Sequence, residues 1–236
     1  MQPTNKTARF AGFLYLLMGA SAPFCLIYVP RTLIVRGNAT ATANNILAHE
    51  MLFRAGMVAE LFIAVMWIFL AVVFYRLFNG VNQTQAALMA ILGGLVCAPM
   101  SFLNVANELV ALTLVRGADY LSVFDKSQLE ALAMLFLRLH GQVIVVEQIF
   151  WGLWLFPFGL LVMRSGFLPR ILGVLLILNG FPYVIGSLAS LLLPGQTYSV
   201  LSVPAIILQF GELWIMLWLL IKGARVEPLT AAAASA

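Results

Sequence analysis

The chain has 236 residues, of which 63% are apolar and only 9% charged. Soluble domains carry roughly 25% charged residues, so an ordinary water-facing surface is excluded. The formal charge of +4 comes from Lys and Arg scattered singly, with no basic run interleaved with aromatics, which excludes nucleic acid as a partner. What remains is a membrane domain, with membrane lipid as its first partner.

Windows of ~19 residues mark six apolar stretches at about 10–29, 51–75, 86–114, 140–163, 171–193 and 203–221. Each suffices to cross a hydrocarbon core ~30 Å thick as a helix. The expected fold class is all-α: a polytopic bundle of six transmembrane helices forming one domain over residues 1–226, with 227–236 as a disordered, Ala-rich tail. Lys6 and Arg9 precede the first stretch as in a signal peptide, but the run is too long for an h-region and reads as a mature helix. The connections at 30–50 and 115–139 are long. Ser127 with Glu130 has capping-box spacing, which starts the fourth helix ahead of its apolar stretch. Gly93-Gly94 with Pro99, Pro157-Phe158-Gly159 and Gly180-Phe181-Pro182 mark kinks or close crossings. Cys25 and Cys97 sit at different depths and are read as free thiols.

An even number of spans puts both termini on one side. That side holds Lys6, Arg9, Arg76, Arg164, Arg170, Lys222 and Arg225. On the other side Arg54 and Arg138 lie inside helix starts, and Glu50, Asp119, Asp125 and Glu130 dilute the remaining basic residues. The positive-inside rule therefore favours cytoplasmic termini.

The first and fifth stretches share a pattern, Arg9, Gly12, Leu14, Leu17, Gly19 against Arg170, Gly173, Leu175, Leu178, Gly180. The helices after them share Glu60-Leu61-Phe62-Ile63 against Glu212-Leu213-Trp214-Ile215, and Glu147 with Trp154 makes a looser third copy. This is the signature of a duplicated helical hairpin in parallel repeat, a plan found in some transporters.

Counting ~1.5 Å per residue from the outer end of each stretch sets Glu60, Glu147, Glu212 and Asn104 at one level, ~10 to 15 Å deep. A charge there costs at least ~2.5 kcal/mol, so these groups are expected to face the bundle interior or a wet cavity. Asn107 and Glu108 share a helical face with Asn104. His140, Gln142 and Gln148 decorate the fourth helix and Gln209 the sixth, with Arg54 and Arg138 above. The expected ligand-binding set is Glu60, Glu147, Glu212, Asn104, Glu108, Asn107, Arg54 and His140, a polar funnel whose carboxylates are balanced by a proton, a bound cation or Arg54. Helix-to-helix hydrogen bonding is the plainer role for the same groups. The aromatics Trp151, Trp154, Trp214 and Trp218 read as core.

Only His49 and His140 are available as imidazole ligands, and the Glu-x-x-His spacing of di-iron helices is missing. Nucleophile elbows and phosphate loops are absent too, so no catalytic residue and no cofactor or metal is assigned. The leading expectation is a protein that binds a small molecule or cation in an outward-facing intramembrane carboxylate pocket, with transport as one form of it. The alternatives are an accessory or assembly subunit packed against other membrane subunits or a homo-oligomeric copy, and a membrane enzyme acting on a lipid or quinone.

Lys6-Thr7-Ala8-Arg9-Phe10-Ala11-Gly12, Glu60-Leu61, Leu168-Pro169-Arg170 and Gly211-Glu212 through Trp218-Leu219-Leu220-Ile221-Lys222-Gly223 resemble a bacterial family of six-helix membrane proteins known only as a domain of unknown function. The resemblance covers nearly the whole chain. It implies a single bacterial inner-membrane domain and supplies no activity, substrate or site residue.

Overall fold

The computed structural model describes residues 5–193 and 211–224, and among them every regular element is a helix. Five are long and apolar enough to cross a membrane: α1 (Asn5–Leu33), α3 (Glu50–Phe78), α4 (Gln83–Arg116), α5 (Lys126–Arg164) and α6 (Arg170–Leu192). A short α2 (Ala39–Ala48) lies between α1 and α3, and α7 (Gly211–Ile221) follows α6. This is the make-up of a multi-pass membrane protein. Residues 203–210 of the sixth expected stretch, Gln209 among them, lie outside the described residues, as does the tail at 227–236.

The helices outrun their apolar stretches, because hydropathy registers only the part that is uniformly greasy. The long connection at 30–50 holds the end of α1 and the whole of α2, which Asn38 caps by accepting from the Ala41 N–H at 2.9 Å. The second long connection gives way to α5, whose cap is not the expected Ser127–Glu130 pair. Asp125 accepts from the Gln128 N–H at 2.9 Å and Gln128 Oε1 accepts from the Asp125 N–H at 3.0 Å, a reciprocal box. An aspartate caps as well as a serine and adds charge at the positive end of the helix dipole. Ser127 is drawn in as a donor to Asp125 at 2.6 Å, and its hydroxyl is the first cause holding the Asp125 carboxyl below the ordinary carboxylate range. Glu130 turns away to accept from Thr40 Oγ1 at 2.5 Å, tying α2 to α5.

Two helices widen into π-turns, Phe24–Tyr28 in α1 and Ile91–Cys97 in α4. Each ends two residues before a proline, Pro30 and Pro99. A proline cannot donate to the carbonyl four residues back and its ring presses on that carbonyl, so Leu26 and Leu95 are pushed out of register and the turn opens. The helices continue beyond both points.

Each long helix packs on its chain neighbours, α1 on α3, α3 on α4, α4 on α5, α5 on α6 and α6 on α7, and α7 returns to α1 to close a ring. Glycines set several of these contacts. A Cβ on Gly152 would stand 2.6 Å from the Gly180 carbonyl oxygen, and one on Gly159 would stand 2.6 Å from that of Gly173, so α5 and α6 meet backbone to backbone. A Cβ on Gly94 would stand 2.6 Å from the Ala71 Cβ of α3. The expected close crossings at Gly93-Gly94, Gly159 and Gly180 are thus present.

The apolar interior is split in two. One cluster gathers Trp67, Phe74, Ala98, Trp154 and Phe158; the other gathers Met57, Val105, Leu112 and Leu137. Trp67 and Trp154 meet edge to face at 4.9 Å, and Phe74 lies 4.6 Å from Phe158. Along α3, α4 and α5 the chain passes from one cluster to the other between residues 57 and 67, 98 and 105, and 137 and 154. Buried Glu60, Asn104, Glu108, His140 and Glu147 lie in or beside those gaps. Cys25 and Cys97 are free and buried.

Overpacking a close glycine crossing typically costs 1–3 kcal/mol, whereas a helical glycine facing open space gains up to ~1 kcal/mol as alanine. Gly173→Ala is therefore expected to lower the melting temperature in detergent. Gly186→Ala, where nothing lies within 4 Å, is expected to leave it unchanged or raise it.

Candidate functional site

Three helices supply the polar layer. Glu60 comes from α3, Ser101, Asn104, Asn107 and Glu108 from α4, and His140 and Glu147 from α5. Ser101, Asn104 and Glu108 fall on one helical face, as do His140 and Glu147 two turns apart. Because α4 and α5 run antiparallel, Ser101 meets Glu147 at one end of the layer and Glu108 meets His140 at the other.

The His140 Nε2 lies 3.0 Å from Glu60 Oε2 and 3.9 Å from Glu108 Oε2. One ligating atom from each of these residues falls within 4.8 Å of the other two. All three residues are buried, Glu108 with only 6% of its surface exposed, and Glu108 Oε2 has no hydrogen-bond partner among the described residues. Asn104 Nδ2 donates to the His140 carbonyl at 3.1 Å and Asn107 Nδ2 donates to Asn104 Oδ1 at 3.0 Å. These two amides fix the backbone that carries the imidazole, a supporting role of the kind that holds ligands in register.

Ser101 Oγ donates to Glu147 Oε1 at 3.2 Å. Glu147 and Glu60 share a cavity of about 30 Å³, walled by Leu26, Trp67, Asn104 and Trp151 among others. Leu26 belongs to the π-turn of α1 and Trp67 to the aromatic cluster, so the cavity sits where the two apolar clusters part. A single water needs ~10–15 Å³ of such space, so the cavity holds one or two waters or a small ion.

The structure separates the two remaining members of the expected set from this layer. Arg54 donates from Nε to Glu50 Oε1 at 2.7 Å, and Arg116 Nε lies 3.5 Å from Glu50 Oε2. Arg54 is thereby committed to a partly exposed cluster, and the basic partner of Glu60 is His140. Glu212 accepts from Asn179 Nδ2 at 2.9 Å and from the hydroxyls of Tyr15 and Tyr183. It ties α7 to α1 and α6 with three donors of its own.

The sequence placed Glu60, Glu108 and His140 in one polar set but did not single them out as the three that meet, because a ligand set drawn from three helices leaves no local spacing. It also missed Ser101 and the donors to Glu212. Asn179, a lone amide within an apolar stretch, was the available signal for the latter.

The sequence matches the model of a family described as a domain of unknown function (DUF4386) over residues 10–223. No curated protein and no solved structure matches it. The chain belongs to this family.

Removing one partner from a buried ion pair typically costs 3–5 kcal/mol, because the other charge is left without compensation. His140→Ala is expected to destabilise the protein on that scale. Adding Glu60→Gln to it is expected to recover part of the loss, a non-additivity that a double-mutant cycle of melting measurements in detergent reads directly.

Proposed function

We propose that this DUF4386 protein binds a small cation, or a small ligand of comparable charge, at the intramembrane polar layer of Glu60, Glu108, His140 and Glu147, of which Glu60 and Glu147 line the cavity, and that it does so from the outer face of a bacterial inner membrane. Transport is the form of function that such a pocket serves most naturally. In this reading the chain crosses the membrane six times with both termini in the cytoplasm, α7 being the described half of the sixth span.

One observation carries the reading. A polar group that only holds helices together ends up satisfied, as Glu212 does with Tyr15, Asn179 and Tyr183. Glu108 directs a buried carboxylate oxygen toward His140 and finds no hydrogen bond. Buried polar atoms without partners are rare and point to a role beyond packing. The nearby cavity of about 30 Å³ suits an ion or water, and it is far smaller than the several hundred Å³ typical of sites for larger organic ligands.

We also infer that the hairpin repeat is real and threefold. Gly12 of α1 abuts Leu219 and Leu220 of α7, Gly94 of α4 abuts Ala71 of α3, and Gly173 of α6 abuts Gly159 of α5. Each first helix of a hairpin leans through glycine on the second helix of the preceding one. The second helices are those that carry Glu60, Glu147 and Glu212, in line with a parallel repeat about an axis normal to the membrane.

Binding to the folded state raises stability by about 2.7 kcal/mol when the ligand stands at a hundred times its Kd. Melting of the detergent-purified protein across chlorides of monovalent and divalent cations is therefore expected to show a cation-dependent rise. Glu60→Gln and Glu147→Gln are expected to abolish the rise. Glu212→Gln is expected to lower the melting temperature in every salt yet keep it. No cation effect in the wild type, or one that survives both site variants, contradicts the reading.

A further inference from the structure

The cation-pocket reading leaves the chemical class of the ion open, and the ligand set narrows it. We infer that Glu60, Glu108 and His140 form a coordination site for one divalent first-row transition-metal ion, such as Zn²⁺, Mn²⁺, Fe²⁺ or Co²⁺, with water from the adjoining cavity completing its shell. This rests on the reading above and assigns its substrate class.

Geometry supports the ligand set. Carboxylate oxygens and imidazole nitrogens bind zinc at ~2.0–2.2 Å, and a tetrahedral ion with such bonds holds its ligands ~3.4 Å apart. The Nε2 to oxygen separations of 3.0 and 3.9 Å bracket that value. The third separation lies within 4.8 Å, so small side-chain rotations bring all three atoms onto one ion. The three ligands come from α3, α4 and α5, whose positions are fixed by packing, and Asn104 and Asn107 brace the histidine. Glu108 Oε2 is buried and without a hydrogen bond, as an oxygen reserved for a metal would be.

Charge and ligand type set the class. A coordinating imidazole is neutral and both carboxylates are ionised. A dication then cancels two buried negative charges that one histidine could offset only in part. Calcium takes six to eight oxygen ligands, and magnesium keeps several waters and meets oxygen rather than nitrogen. Imidazole with carboxylates suits zinc, iron and their neighbours. Three protein ligands with a cavity of about 30 Å³ alongside leave coordination positions open, as in sites that exchange what they bind. Such a site can release its ion, as a transporter requires.

The test uses the full chain without a polyhistidine tag, stripped with a chelator in detergent and titrated with Zn²⁺ and with Co²⁺. The expected result is about one ion per chain, with visible Co²⁺ absorption characteristic of mixed nitrogen and oxygen ligands. Loss of outer-shell support alone typically weakens metal binding 10–100-fold, so replacing a direct ligand in Glu108→Gln or His140→Gln is expected to weaken it at least tenfold. His140→Gln is also expected to alter the Co²⁺ spectrum. Glu108→Gln is the informative variant, since Glu108 Oε2 makes no hydrogen bond and the exchange is expected to leave the melting temperature of the metal-free protein unchanged. Glu50→Gln, at the exposed arginine cluster, is expected to bind as the wild type does, and Mg²⁺ in hundredfold excess is expected not to compete. Absence of Zn²⁺ and Co²⁺ binding in the wild type, or unchanged affinity in Glu108→Gln, overturns the assignment. If the wild type then still melts higher with Na⁺ or another cation in a Glu147-dependent way, only the metal class falls; if no cation has an effect, the pocket reading falls with it.

Discussion

A carboxylate enclosed by apolar helices costs several kcal/mol unless a donor or a positive charge meets it, and four of the enclosed glutamates among the described residues are met by a group from another helix. Glu60 is met by His140, Glu147 by Ser101, Glu130 by Thr40 and Glu212 by Tyr15 and Asn179. Each acidic residue thus links two or three helices. Glu108 stands apart. It lies beside His140 at a distance too long for a hydrogen bond, and Oε2 has no other donor among the described residues.

The unmet Glu108 oxygen gains its meaning from the packing around it, beside an imidazole and a second carboxylate. The aromatic cluster on one side and the aliphatic cluster on the other exclude bulk water from the layer between them. Trp67 belongs to the first cluster and walls the cavity, so the same side chain anchors α3 and limits the space beside Glu60. The glycine crossings hold the neighbouring helices at backbone distance, and the π-turn ahead of Pro30 brings Leu26 to the cavity wall. The site is rigid because its supports are themselves core elements.

Much of the fold was legible because hydropathy is a local quantity. Five expected stretches coincide with five long helices, and the glycine and proline positions anticipated close crossings and the widened turn before Pro99. The helix ends were less legible. Asp125 displaced Ser127 as a cap because three neighbouring polar side chains compete for one helix terminus, and α2 was invisible within a connection of mixed polarity. Among the site residues, counting along each helix grouped Glu60, Glu147 and Asn104, and the structure brings these three to the wall of one cavity. Counting could not tell which groups share a face of the bundle. Glu212 points into a tyrosine and asparagine cluster, while His140 reaches Glu60 and Glu108 because the register of α5 against α3 and α4 is set by packing that no short window of sequence carries.

The central claim is that the gap between Glu60, Glu108 and His140 is a cation site and not merely a buried ion pair. Anomalous scattering from crystals of the full chain grown with Mn²⁺ or Zn²⁺ tests it most directly. The account predicts one strong anomalous peak within bonding distance of Glu60 Oε2, Glu108 Oε2 and His140 Nε2. A map with no peak there, in which Glu108 has instead found a protein or water partner, would contradict it.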